Sequence, residues 1–171
     1  MKEFDKFILL DRDGVININR KDHVKRVEDF EVYKNSIEEI NNYRNLGVEF
    51  AIASNQSWIN NDPLSESALD QIDKKLDSYF DYPIKKFYCK HNKTDLCACR
   101  KPKPGLLYKA ENYFARRVDV FVGDNITDYY AAKRYGCDFV LVTSGRGKEF
   151  LHNIERNLVY SDLSEYLQSL R

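Results

Sequence analysis

Short apolar runs alternate along this chain with stretches whose apolar residues recur every three or four positions. Phe7-Ile8-Leu9-Leu10 is unbroken and ends at Asp11, the pattern of a strand buried on both faces. Ile37, Ile40 and Tyr43 share one face of a helix expected over 36–46, opened by a Ser36/Glu39 capping box and closed at Gly47. Residues 48–53 read as a second strand. Leu69, Ile72, Leu76, Tyr79 and Phe80 then predict a helix over 65–80. Residues 84–88 read as a third strand, and Pro104 opens a helix carrying Leu107, Ala110 and Phe114. A fourth strand over 118–122 leads to a helix over about 127–135 that stops at Gly136. A fifth strand over 139–142 follows, and Leu163, Tyr166, Leu167 and Leu170 share a face of a closing helix.

Strands alternating with helices imply βαβ units and a mainly parallel sheet covered on both faces. Ligands in such sheets bind outside the carboxyl ends of the strands. Polar residues with chemical potential cluster at those ends: Asp11 and Asp13 after the first strand, Ser54-Asn55-Gln56 after the second, Asp124 and Asp128 after the fourth.

A length of 171 residues suits one domain rather than two with separate cores. With 43% apolar and 32% charged residues the chain is expected to be globular rather than disordered. The 27 basic residues balance 27 acidic ones, which excludes a basic nucleic-acid wrapper and leaves any anion to a local cluster. No apolar run exceeds four residues and residues 1–6 lack a signal-peptide core. The expectation is a cytoplasmic protein with neither membrane nor nucleic-acid partner, a monomer or weak homo-oligomer.

The stretch Asp11-Arg12-Asp13-Gly14 carries two carboxylates two residues apart, which in extended backbone face one site. A magnesium ion on Asp11 and Asp124 would relieve carboxylate repulsion there, while Gly14 lets the backbone turn sharply towards a phosphate. The bland alternative is a strand end followed by turn residues. Ser54-Asn55-Gln56-Ser57 offers a hydroxyl and amides that donate to phosphate oxygens without adding charge; an ordinary Ser/Asn turn has the same composition. Lys101 suits neutralisation of a transferring phosphoryl group, whereas Lys103 reads as part of a solvated basic loop. Asp128 reads as a helix cap that also supports Asp124. Cys89, His91, Cys97 and Cys99 form a C-x-H, five-residue gap, C-x-C pattern, which in a reducing compartment points to a metal site. Cys137 reads as a buried small hydrophobe, and His23 and His152 as ordinary polar residues.

In this order, D-x-D-G-V, Ser-Asn-Gln-Ser, lysine and G-D-x-x-x-D resemble the haloacid dehalogenase superfamily of phosphotransferases. Leu10-Asp11-Arg12-Asp13-Gly14-Val15-Ile16-Asn17, the cysteine cluster and Cys99-Arg100-Lys101-Pro102-Lys103-Pro104-Gly105 further resemble the D-glycero-D-manno-heptose 1,7-bisphosphate 7-phosphatases and their relatives, the histidinol-phosphate phosphatases. The match runs over about residues 6–147. The resemblance implies one Rossmann-like, doubly wound α/β domain across residues 1–171, with no cap domain between Asp11 and Ser54 and a zinc loop at 89–99.

The resemblance also implies roles. Asp11 would be the nucleophile that forms an aspartyl-phosphate, and Asp13 the general acid and then base. The Asp11 carboxylate, the Asp13 backbone carbonyl and Asp124 would hold magnesium, and Ser54 and Lys101 would stabilise the phosphoryl group. Asn19, Asn55, Gln56, Ser57, Arg100 and Asn125 would contact the substrate, a phosphorylated sugar. Zinc on Cys89, His91, Cys97 and Cys99 would be four-coordinate and structural. Two departures stand out: Asn125 replaces a lysine common in the heptose family, and Trp58 replaces a glycine in a loop expected to face the substrate. The short gap between His91 and Cys97 resembles the histidinol-phosphate branch, while Val15-Ile16-Asn17 and the Lys-Pro-Lys-Pro-Gly run resemble the heptose branch. A local excess of cations (Arg20, Lys21, Lys25, Arg26, Arg100 and Lys103) favours a substrate with a second phosphate, hence the heptose bisphosphate. A zinc-stabilised binding module is the non-enzymatic alternative. A phospho-receiver domain is disfavoured because no aspartate follows the third strand.

Overall fold

The apolar runs become strands because parallel neighbours hydrogen-bond both their edges while helices cover both their faces. The computed structural model describes residues 4–60, 62–155 and 158–171. Residues 1–3, Asn61, Arg156 and Asn157 lie outside it, so the reading of the chain start and one position of the Trp58 loop fall outside the described residues. Strands β1 (Phe7–Leu10), β2 (Glu49–Asn55), β3 (Lys85–Cys89), β4 (Val120–Gly123), β5 (Asp138–Val142) and β6 (Val159–Tyr160) form one sheet in the order β3-β2-β1-β4-β5-β6. Every neighbouring pair is parallel.

In β1, Ile8 and Leu10 join the core on one face and Phe7 and Leu9 the core on the other. Helices α1 (Lys34–Asn45), α2 (Pro63–Asp77) and α5 (Leu163–Gln168) cover the first face through Ile37, Ile40, Ile72, Leu76 and Leu167. Helices α3 (Gly105–Phe114) and α4 (Ile126–Tyr135) cover the second through Leu106, Leu107, Ala110, Ala131 and Ala132. The expected doubly wound α/β sheet is therefore present. Residues 11–33 form a turn-rich loop whose regular structure is one 3-10 turn at Val27–Asp29 and isolated bridges. No helix of the described residues is long and apolar enough to cross a membrane.

Four local expectations need correction. The Ser36/Glu39 capping box does not form: α1 starts two residues earlier, with Tyr33 as N-cap and no side-chain cap. Both residues lie within the helix and are buried, and Glu39 instead accepts from Gln168 at 3.0 Å and Arg171 at 3.2 Å. Helix α2 begins at Pro63 because the Asp62 carboxylate accepts the Ser65 N–H at 2.9 Å and proline suits the first turn; it ends at Asp77, so Tyr79 and Phe80 follow the helix. Strand β6 was not expected, since two residues carry no periodicity; it is added where Leu141 and Val142 leave an edge to pair. Cys137 is half-buried rather than buried, with its thiol pushed up to about 12 by partial burial.

Candidate active site

At the carboxyl end of β1 the chain leaves the sheet at once. The Arg12 carbonyl accepts the N–H groups of Val15, Ile16 and Asn17 at 3.3, 2.9 and 3.2 Å, and Gly14 turns through a left-handed φ of 89°. Both Asp11 and Asp13 line the cavity that opens here, as alternation expected, but this winding gives the two carboxylates different partners. Asp11, with Asp124 from the end of β4 and Asp128 from the first turn of α4, offers carboxylate oxygens within 4.8 Å of one another. Asp13 is excluded from that group. Its carboxylate accepts from Arg12 at 3.0 and 3.1 Å, from Asn17 at 2.9 Å and from Gln56 at 2.8 Å. Burial alone would raise the Asp13 pKa, but the Arg12 guanidinium and these donors hold it below the ordinary range.

Lys101 is the buried cation of the acidic cluster. Its three ammonium protons have three acceptors: Asp11 Oδ1 at 3.0 Å, Asp128 Oδ1 at 2.7 Å and the Ala53 carbonyl at 3.0 Å. Burial opposes the charge, yet the ion pairs with Asp11 and Asp128 outweigh it and raise the Lys101 pKa. Burial and the Asp11 charge push Asp124 up to about 7, against the pull of the Arg146 N–H. Asp128 is likewise raised, by burial first and then by Asp11 and Asp124.

Three carboxylates facing one lysine leave two negative charges uncompensated in a buried site, which fits a divalent cation with oxygen ligands. The Asp13 backbone carbonyl accepts no hydrogen bond among the described residues, so it is available as a further oxygen. The Asp124 carboxylate is also housed for the purpose. A Cβ on Gly14 would lie 2.1 Å from its Oδ2, and one on Gly145 2.0 Å. The same oxygen accepts the Arg146 N–H at 2.8 Å and Asn19 Nδ2 at 3.4 Å.

The acidic cluster opens into a cavity of about 1160 Å³ lined by Asp11, Asp13, Asn19, Ser54, Asn55, Ser57, Arg100, Lys101, Asp124 and Asn125, all expected at the site. Several are already engaged. Asn55 clamps the Lys101 peptide through both ends of its amide at 3.1 Å, and Asn125 caps α4 by accepting from Thr127 at 3.1 Å. Gln56 is a correction: it is fully buried, away from the cavity, and its amide faces Asp13, Ser54, Arg12 and Trp58. Trp58 also departs from expectation, packing against the core rather than lining the cavity, because the indole N–H finds an acceptor in Gln56.

Gly145, Arg146 and His23 were missed. The stretch Thr143-Ser144-Gly145-Arg146-Gly147 ends β5 and carries the polar, glycine-rich signature weighed at the other strand ends; Ser144 Oγ ties it to the Gly14 carbonyl at 2.7 Å. His23 lines the cavity with a left-handed φ of 65°, and burial lowers its pKa. Of the remote cations, Lys25 and Arg26 do not line the cavity, and Arg26 pairs with Asp29 at 3.0 Å. Arg20, Lys21, Arg100 and Lys103 do line it, joined by Lys93, Arg134 and Arg146.

Beside the cavity, the end of β3 and the following loop bring Cys89, His91, Cys97 and Cys99 together. The Cys89–Cys97 and Cys97–Cys99 sulfurs are 3.7 and 3.6 Å apart, and His91 Nδ1 is 3.6 and 3.2 Å from Cys89 and Cys99. A tetrahedron with metal–sulfur bonds of ~2.3 Å has edges of ~3.8 Å, so the four donors fit zinc and are far too separated for a disulfide. Arg100 donates to the His91 carbonyl at 3.0 Å, and Lys103 to the Cys97 carbonyl at 2.7 Å. Lys103 thus braces the loop as well as bordering solvent.

Residues 98–166 match the family model described as HAD-hydrolase-like. The chain is 34% identical over 173 aligned positions to the D-glycero-beta-D-manno-heptose-1,7-bisphosphate 7-phosphatase of Pseudomonas aeruginosa, covering 95% of this chain and 96% of that one. It is 35% identical over 150 positions to the D-glycero-alpha-D-manno-heptose-1,7-bisphosphate 7-phosphatase of Campylobacter jejuni, covering 84% and 86%. The D,D-heptose 1,7-bisphosphate phosphatase of B. bronchiseptica, solved with magnesium and phosphate, superposes with a TM-score of 0.85 at 28% identity over 97% of this chain and 98% of that one. With relatives this similar over nearly its whole length, and with the same fold, the chain belongs to the D-glycero-D-manno-heptose-1,7-bisphosphate 7-phosphatase family of haloacid-dehalogenase-like hydrolases.

Proposed function

We propose that this protein, as one phosphatase domain, hydrolyses the 7-phosphate ester of D-glycero-D-manno-heptose 1,7-bisphosphate. The observation that carries the reading is the convergence of Asp11, Lys101, Asp124 and Asp128 on the floor of a cation-rich cavity, in a chain whose relatives bear that activity. Asp11 attacks phosphorus; its Oδ1 is oriented by Lys101 and by the Arg12 N–H at 2.8 Å. Asp13, held ionised in the free site, takes up a proton as the substrate phosphate enters, and gives it to the sugar oxygen as the bond from phosphorus to that oxygen breaks. Asp13 then takes a proton from the water that attacks the aspartyl-phosphate, releasing inorganic phosphate and freeing Asp11. Magnesium on Asp11, Asp124 and the Asp13 carbonyl would offset charge on the phosphoryl oxygens, and Ser54 and Lys101 hold those oxygens from the other side. Zinc on the four-residue cluster would fix the loop that presents Arg100 and Lys101. Four cysteines, none in a disulfide among the described residues, fit a reducing, cytoplasmic setting.

The remote phosphate falls to the cavity cations. Arg20 pairs with Asp29 at 3.3 Å and Arg146 with Glu149 at 2.8 Å, whereas Lys21 and Lys93 have no ionic partner among the described residues. Together with Arg100 they favour a dianionic remote group over the protonated amine of histidinol phosphate. The test is kcat/KM for both esters with magnesium. The bisphosphate is expected to win by at least ~10-fold, and Arg100→Ala to reduce its hydrolysis more than that of a small aryl monophosphate. Equal or better turnover of histidinol phosphate would remove the heptose assignment.

A further inference from the structure

Gln56 joins four groups at once. Its Oε1 accepts from Trp58 Nε1 at 2.7 Å and Arg12 Nη2 at 3.1 Å, and its Nε2 donates to Asp13 at 2.8 Å and Ser54 Oγ at 3.1 Å. Indole and guanidinium N–H groups can only donate, so the amide face they meet must be oxygen. The sense of the amide is therefore set from behind, and the NH2 is left to face Asp13 and Ser54. With the indole N–H removed, Arg12 is the one donor left on the oxygen, so the amide is anchored from behind by one bond instead of two.

Arg12 is fully buried and flanked by the rings of Phe30 and Tyr88 at 5.9 and 5.8 Å. It cannot follow Asp13 if the carboxylate drifts. Asp13 itself lines the cavity beside Asp11. Its position is thus defined by Gln56, Asn17 and Arg12, and the Gln56 contribution depends on an indole outside the cavity.

We propose that Trp58 is a positioning residue of this enzyme: through the Gln56 amide it aims the Asp13 carboxyl at the leaving oxygen of the substrate. The assignment rests on the phosphatase reading above and adds to it the device that orients the acid. The indole N–H of Trp58 goes to Gln56 rather than to Asp13, and Trp58 does not line the cavity. Its effect falls on both proton transfers of Asp13, to the leaving oxygen as the bond from Asp11 to phosphorus forms and from the water that later hydrolyses the aspartyl-phosphate; the first of these distinguishes one ester from another. A sugar alkoxide needs that proton; a 4-nitrophenolate leaves without it.

The experiment compares wild type with Trp58→Phe, which keeps the ring and its packing and removes the N–H. Read as the pre-steady-state release of the leaving group, phosphoryl transfer to Asp11 is expected to slow about fivefold to tenfold with heptose 1,7-bisphosphate and by less than about twofold with 4-nitrophenyl phosphate. Equal losses on the two esters, or no loss on either, overturn the assignment. Trp58 is the single tryptophan, so one indole N–H signal in a 1H–15N spectrum reports the bond directly, whatever the fate of the variant. That signal is expected to exchange slowly with solvent in wild type; exchange at the rate of a free indole overturns the proposal. Wild-type protein that hydrolyses neither ester sinks the phosphatase reading and this assignment with it. A wild type active on both, with uniform losses in the variant, sinks this assignment alone.

Discussion

Two ligand-rich clusters lie side by side in this protein and are built in opposite ways. Cys89, His91, Cys97 and Cys99 come from one loop of eleven residues, braced by Arg100 and Lys103, with His91 exposed. Asp11, Lys101, Asp124 and Asp128 come from three separate parts of the chain, are all buried, and meet only because β1 and β4 are neighbours in the sheet. A local cluster can be closed by its own loop, so its loss should loosen that loop and spare the sheet. A cluster assembled by the sheet inherits the sheet's rigidity, and the sheet bears its charge repulsion. The proposed chemistry sits at the second, since transition-state charge is best met by groups that cannot relax.

The largest expected effect is at the acidic cluster. Asp11→Asn removes the attacking anion and should lower kcat by at least ~10³-fold in steady-state assays, while a thermal melt without metal should show equal or greater stability because carboxylate repulsion falls. Near-normal turnover by that variant would end the proposed mechanism.

Next comes the housing of Asp124. A methyl group at Gly145 would meet its Oδ2 at 2.0 Å, and the carboxylate is short and already held by the Arg146 N–H. Gly145→Ala should lower activity by about 10²-fold, the scale expected for a misplacement of ~1 Å, and raise the magnesium concentration needed for half-maximal rate. An unchanged magnesium titration would show that the cradle gives way.

The thiol cluster should respond more mildly. Protein purified without chelator should carry one zinc per chain, and Cys97→Ser should lose it. Activity should then fall by about 10-fold as Lys101 and Arg100 lose their brace, with far-UV circular dichroism preserved. Collapse of the sheet on zinc loss would mean that the two clusters are not separable.

The smallest effect is on stability. Asp124 is raised from the model-compound value of 3.8 to about 7 in the folded state, chiefly by burial and then by Asp11. A raised folded pKa gives stability that is complete below pH 4 and is lost as pH climbs through 7. The metal-free protein should therefore lose melting temperature over that window from this group. Magnesium should stabilise more at pH 8, where ~2.7 kcal/mol is expected at a hundredfold excess over Kd, than at pH 5. Equal shifts at both pH values would show that the cation does not bind Asp124.

Much of this molecule was legible in the sequence. Unbroken apolar runs ending in polar residues located five strands and, by the strand-end rule, Asp11, Ser54, Asp124 and Asp128. Spacing alone located the thiol cluster, since ligands within a stretch of eleven residues meet without help from distant chain. What tertiary structure decided is everything that depends on which way a side chain turns after the backbone leaves regular structure. Alternation set Asp11 and Asp13 towards one site, and both line one cavity, but only the turn closed on the Arg12 carbonyl decides that Asp13 is held there by Arg12, Asn17 and Gln56. The family resemblance made Trp58 a candidate for the substrate loop, but an indole N–H goes where an acceptor is, and that acceptor is buried. Strand β6, the Glu39 contacts with the C-terminal segment and the Gly14–Gly145 cradle all join residues more than a hundred positions apart or too few to carry a period. Sequence pattern records local preference and burial; partners brought together by parallel pairing appear only when the sheet has formed.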